Sequence, residues 1–322
     1  MSTFPTSPIA RLGGHNGQVL AVTFSSGTGQ YVLTGSSDRS IRLFNPRLRK
    51  SPLIQTYAGH GYEVLDLHIS SDNSRFASAG GDKVVYLWDV AAVTTLRRFA
   101  GHAGRVNAVR LAGEGESLVI SGSYDGSVKV WDTKQRGERA VMSMGEARDS
   151  VSAVDVREWE VVVGSVDGRV RGYDFRMGRV ETDAIGAPVT SVAMARAGDS
   201  YLVSTLDSTI RLMDRRDGKC LQTFRDEQFE NKNYRIRSTF AAADALVISG
   251  SENGQVLVWD IMTGGIKHRL RHAQGLLSDG RASDKQESSK KDVVSAVAWN
   301  QLRKQWATAG GDGTVVVWGN ED

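Results

Sequence analysis

The chain has 322 residues, enough for two average domains or one large β structure, and its 40% apolar content supplies a sizeable core. Its 40 basic residues stand against 37 acidic ones, a formal net charge of +3, so the composition builds in no strong pull toward nucleic acid or anionic lipid. A single cysteine, Cys220, excludes a disulfide framework and a cysteine-based zinc site and fits a reducing compartment.

The opening "MSTFPTSPIARLGG" lacks the apolar run of a secretion signal, and no stretch approaches the roughly 18 apolar residues of a membrane span, so a protein that stays inside the cell is expected. From there a repeat of about 40 residues governs the chain. Turn residues Asp38, Asp82, Asp125, Asp167, Asp207, Asn253 and Asp312 follow at spacings of 44, 43, 42, 40, 46 and 59. Six residues after each comes a large closing residue, in order Phe44, Trp88, Trp131, Tyr173, Met213, Trp259 and Trp318. The segments between, from "SIRLF" through "SVKVW" to "TVVVW", are short and β-branched and predict strands.

A second strand precedes each turn, as in "YVLTGSS" (31–37) and "SLVISGS" (117–123), and a third precedes that, as in "VLAVTFS" (19–25) and "VNAVRLA" (106–112). More polar stretches such as "PLIQTYA" (52–58) and "KCLQTFR" (219–225) read as outer strands with an exposed edge. Each repeat is thus a four-stranded meander that cannot bury both faces alone, whereas seven arranged radially can. The last repeat stops after its third strand, and "SPIARLGGH" (7–15) has the outer-strand pattern, so residues 8–13 are expected to pair with the strand containing Trp318 and close the ring. The fold class is therefore all-β, a seven-bladed propeller in one domain over residues 1–322, with the polar segment 273–292 as an inserted, mobile loop open to phosphorylation.

The Gly-His and Trp-Asp signatures resemble WD-repeat β-propellers over essentially the whole chain. The resemblance implies a hydrogen-bonded series of His, Ser or Thr, Asp and Trp in each blade: His60, Ser78, Asp82 and Trp88; His102, Ser121, Asp125 and Trp131; His272, Thr308, Asp312 and Trp318; and, ending in Phe44, His15, Thr34 and Asp38. Blades four to six lack the Gly-His, carry Val163 and Val203 for the hydroxyl and Asn253 for an Asp, and are expected to be less rigid or to substitute packing.

His, Ser and Asp also compose a hydrolase triad, but here the trio repeats around the ring and continues into a Trp with no catalytic part, so no catalytic residue, metal or cofactor is assigned. Binding is better served. Strand geometry places Gln18, Leu20, Glu63, Leu65, Arg105, Asn107, Tyr124, Arg235, Arg237 and Glu252 around the channel mouth, a mixture suited to protein contacts, with Arg235 and Arg237 carrying positive charge across it for an acidic segment. The arginines of "RVRGYDFRMGR" (169–179) read as a solvated face, without direct contact to RNA.

Denser stretches, among them "YAGHGYEVLD", "GGDKVVYLWDV" and "GSVDGRVRGYDFRMG", resemble the mitogen-activated protein kinase organizer family of WD-repeat proteins. That resemblance implies a non-enzymatic scaffold, one copy within a larger complex of nucleus and cytoplasm. It also implies work in pre-mRNA splicing beside DEAH-box helicase and G-patch proteins of the spliceosome, or with kinase-cascade components, and without a direct membrane contact. Asp174-Phe175-Arg176 and Asp214-Arg215-Arg216 suggest a further alternative, a substrate receptor of a cullin-type ubiquitin ligase docked through Arg176 and Arg216; the plainer reading pairs those arginines with the adjacent acids.

Overall fold

The computed structural model of the protein describes residues 4–137, 139–273 and 292–320. Seven four-stranded antiparallel sheets follow one another along the chain, six of them simple meanders. The expected insertion lies, but for its two end residues, outside the described residues. Apolar β-branched runs make the three inner strands of each blade; the second strand of blade three, Leu118–Ser123, is buried from Val119 onward. Outer strands are the wet ones, as in Arg179–Ala184 of blade four, where all but Asp183 are exposed.

The core lies between blades. Ala21, Leu33 and Ile41 of blade one pack with Val64, Leu67 and Ile69 of blade two, so each sheet buries its face only against its neighbour. Glycine in the second strand sets that approach: a Cβ on Gly122 would sit 2.4 Å from Val151 Cγ1, and one on Gly164 would sit 2.5 Å from Val189 Cγ1.

Blade seven takes its outer strand from the start of the chain. Ser7–Leu12 runs antiparallel to Val315–Gly319, with Ser7 opposite Gly319 and Leu12 opposite Val315. Ahead of it, Phe4 stacks 5.2 Å from His268 and 5.8 Å from Trp299, and Trp306 Nε1 donates to the Pro5 carbonyl at 2.8 Å.

The innermost strands share a defect that matters for the channel. In blade two, Val64 pairs with Gly80 and Asp66 with Ala79, which leaves Leu65 as an extra, unpaired residue. The same bulge falls at Leu20, Asn107, Ser152, Thr190 and Ser295. Blade six lacks it: Ser238–Ala241 pairs without interruption, and Arg235 and Arg237 precede it.

Candidate functional site: the channel and its upper face

At four of the bulges the freed side chain reaches the next blade, and at three the freed carbonyl faces the channel. Asn107 Nδ2 donates to the Val151 carbonyl at 2.7 Å, Ser152 Oγ to the Val189 carbonyl at 2.5 Å, Thr190 Oγ1 to the Ile236 carbonyl at 3.1 Å and Ser295 Oγ to the Val19 carbonyl at 2.7 Å. Arg235 then spans the channel. Its guanidinium donates to the bulge carbonyls of Leu65 at 2.8 Å and Ser152 at 3.1 Å, and also to that of Asn107. Arg237 donates to the Leu65 carbonyl at 2.6 Å and to Asp66 Oδ1 at 2.5 Å, while Arg110 donates to Asp66 Oδ2 at 2.9 Å and to Asp155 at 3.1 Å.

Asp66 is only 1% exposed. Burial alone would raise its carboxyl; Arg237, Arg110, Arg235 and the Val109 N–H outweigh that and hold it well below the usual carboxylate range. Arg235 finds carbonyls and no carboxylate, so burial and the neighbouring guanidiniums push it down to about 9, still charged at neutral pH. His68 is pushed down to about 4 by burial and by Arg110, and its Nδ1 accepts from the Leu111 N–H at 3.2 Å, as a neutral ring must.

The channel therefore corrects part of the expected mouth. Arg235 and Arg237 are committed inside it, because carbonyls freed by bulges in the opposite blades need donors, and Asn107 is buried against Val151. Glu252 is likewise engaged, accepting from the Lys232, Asn233 and Tyr234 N–H groups at 2.6, 2.6 and 2.9 Å. What stays open lies on blades two and three. Tyr62 is 62% and Tyr124 58% exposed, and the Arg105 guanidinium lies 5.2 Å from the Tyr124 ring centre. Glu63 is half-buried beside Gly81, and Leu65 lines a cavity of about 80 Å³ at the mouth with Gln18, Leu20, Tyr234 and Val293. Tyr62 escaped the sequence reading because it sits two residues after His60, outside the positions that strand geometry singles out.

The blade series are hydrogen-bonded and sealed. Trp131 Nε1 donates to Ser121 Oγ at 2.8 Å, Ser121 meets His102 Nε2 at 2.8 Å, and His102 Nδ1 meets Asp125 at 3.0 Å. Blade two repeats this at 2.8, 2.7 and 2.8 Å through Trp88, Ser78, His60 and Asp82. In blade seven the ring is reversed: His272 Nδ1 meets Thr308 at 2.8 Å, Trp318 donates to Thr308 at 3.0 Å, and Asp312 lies 3.6 Å from His272 Nε2. Burial lowers the His102 pKa against the opposing pull of Asp125, which favours a neutral ring donating from Nδ1.

Blades four and five do not fall back on packing. Arg171 donates to Asp167 at 2.7 Å and Ser165 at 2.8 Å, and Arg211 donates to Asp207 and Thr205, both at 2.8 Å. Arg171, 3% exposed, is therefore no part of a solvated face, because it fills the place of the missing histidine. The signal was present as Asp and Arg four apart in "DGRVR" and "DSTIR". Blade six does use packing: Trp259 Nε1 has no partner among the described residues, and Phe229 meets that ring edge-on at 5.4 Å. Arg176 stacks 5.7 Å from the Trp159 ring, while Asp174 and Asp214 accept from the backbone N–H groups of Arg176 and Arg216.

Comparison with known proteins agrees with this architecture. The WD domain, G-beta repeat family matches residues 6–45, 51–89 and 285–319, and the Nucleolar protein 10-like, N-terminal domain family matches residues 91–239. The chain is 43% identical over 262 residues to WD repeat domain-containing protein 83 of Rattus norvegicus, covering 81% of each chain. It is 42% identical over 273 residues to the Homo sapiens protein of that name, covering 85% of each. The Dictyostelium discoideum homolog is 28% identical over 336 residues, 95% of this chain and 96% of its own. With its propeller ring, its blade series and these relatives along most of its length, the chain belongs to the WD-repeat family of WD repeat domain-containing protein 83.

Proposed function

We propose that the protein is a non-enzymatic scaffold of pre-mRNA splicing, working in the nucleus with a presence in the cytoplasm, and that it holds a partner segment over blades two and three. The observation that carries the scaffold reading is the open group of Tyr62, Arg105 and Tyr124 beside half-buried Glu63 and Leu65, on a face made rigid by Arg235 beneath it. Aromatic and arginine side chains on a preorganised surface are what binding hot spots use. The splicing assignment, with a DEAH-box helicase and a G-patch protein as partners, rests on the family resemblance of the sequence.

The test is affinity purification from nuclear extract with mass spectrometry, using the wild-type chain and the double variant Leu65→Ala/Arg105→Ala. Capture of splicing factors that falls about thirtyfold in the variant, the equivalent of 2 kcal/mol, supports the reading. Capture of kinase-cascade components in their place moves the assignment to a signalling scaffold. Undiminished capture moves the contact off this face.

A further inference from the structure

The outer strand of blade three is three residues long, Met142–Met144, where the other blades have five to seven. It covers only Val128, Lys129 and Val130 of its neighbour, and residues 133–137 and 139–141 detour before it begins. In blade two only residues 90–93 intervene. Where an outer strand would otherwise cover Trp131, the detour leaves a groove of about 880 Å³ against Ala100, Gly101 and Ala140, with Met142 and Val141 exposed alongside. A second hollow of about 570 Å³, lined by Leu96 and Arg98, lies across the ridge of Arg136 and Gly137. Arg97 fixes that ridge by donating to the carbonyls of Thr133 at 3.1 Å and Gly137 at 2.7 Å.

The described lining is basic. Arg97, Arg98, Lys129, Arg136 and Arg139 line the two hollows with no acidic residue among the described lining, and none of the five is ion-paired with a carboxylate among the described residues. Glu138, outside the described residues, is the one acid in residues 133–145. Arg110, Arg171, Arg211, Arg215 and Arg269, by contrast, each hold a carboxylate.

We propose that this side groove docks an extended acidic polypeptide segment of a partner, seated along the short outer strand of blade three, apolar residues on its floor and carboxylates against Arg136, Arg139 and Arg98. A curtailed edge supplies main-chain donors and acceptors to an added strand, and the basic rim sets which segment is drawn in. Single-stranded nucleic acid is the poorer fit, since it stacks bases on open aromatic rings, whereas Trp131 and Tyr86 are buried here. The site lies on the blade side, so it does not depend on the upper-face reading.

The test uses the whole chain and fluorescence anisotropy with three labelled probes: a peptide of alternating glutamate and valine, its lysine and valine counterpart, and oligouridylate. The acidic peptide binds in a salt-sensitive way, Arg136→Glu/Arg139→Glu weakens it about tenfold or more, and the upper-face variant Arg105→Glu leaves it unchanged. An unaltered melting temperature shows that the exposed double substitution leaves the fold intact. Equal binding of the acidic and basic peptides, tighter binding of oligouridylate, or an unaffected double variant overturns the proposal.

Discussion

Ser121 stands between two nitrogen atoms and serves both. It accepts from Trp131 Nε1 and donates to His102 Nε2, whose other nitrogen donates to Asp125, so every member of the series has a partner only while the hydroxyl is present. Ser121→Ala strands the indole N–H and one imidazole nitrogen in the core and should cost about 2 kcal/mol or more, measured by urea unfolding. Ser121→Thr, the residue that Thr34 and Thr308 supply in blades one and seven, should stay within about 1 kcal/mol. His68 gives a pH signature. Its folded pKa of about 4 lies below the unfolded value, so the unfolded chain takes up the proton first, and the contribution is full above about pH 6.5 and lost as pH falls toward 4. His68→Asn keeps an acceptor for the Leu111 N–H and removes the titration. The melting temperature of the variant should therefore fall less than that of the wild type between pH 6.5 and 4.

At the scale of the blade, one structural task is met by three kinds of chemistry. Histidine joins turn to strand in blades one, two, three and seven, arginine does so in four and five, and aromatic packing serves six. Arg171 and Asp167 form a buried ion pair, and removal of one partner leaves the other charge uncompensated. Arg171→Met should cost about 3 kcal/mol, and a double-mutant cycle with Asp167→Asn should show strong coupling between the two sites. The strand pattern was legible in the sequence because residues such as Asp125 and Trp131 recur at a fixed offset, and the blade series came from the resemblance to WD-repeat propellers. Arg171 and Arg211 escaped because a series built on histidine was the expectation, although Val163 and Val203 had marked the change. The bulges escaped altogether. A bulge at Leu65 or Asn107 leaves no mark on a β-branched pattern, and without it Arg235 reads as an open charge at the mouth.

For the whole molecule, the bulges and Arg235 make opposite sides of the ring depend on one another. Arg235→Met would leave the carbonyls of Asn107 and Ser152 short of a donor and the Leu65 carbonyl with Arg237 alone. Unfolding should show a loss of about 3 kcal/mol or more, since an unsatisfied buried group costs about 1–3 kcal/mol. Deletion of residues 1–12 uncovers the strand Val315–Gly319 and removes Phe4 from its place between His268 and Trp299. A bare edge pairs with another chain, so the truncated protein should elute as dimers and larger species in size-exclusion chromatography and melt at a lower temperature.

The pairing of Ser7–Leu12 with Val315–Gly319 also sets a timetable. Because synthesis runs from the amino end, Ser7–Leu12 leaves the ribosome about 300 residues ahead of its partner and must wait, unpaired, until blades one to six have been made. Blades one to six can assemble as they emerge, but the molecule stays an open arc until the two distant strands meet. At about 5–20 residues per second, that wait lasts on the order of tens of seconds, a window in which the early strand is available to a chaperone and closure is the step most sensitive to how fast the message is read.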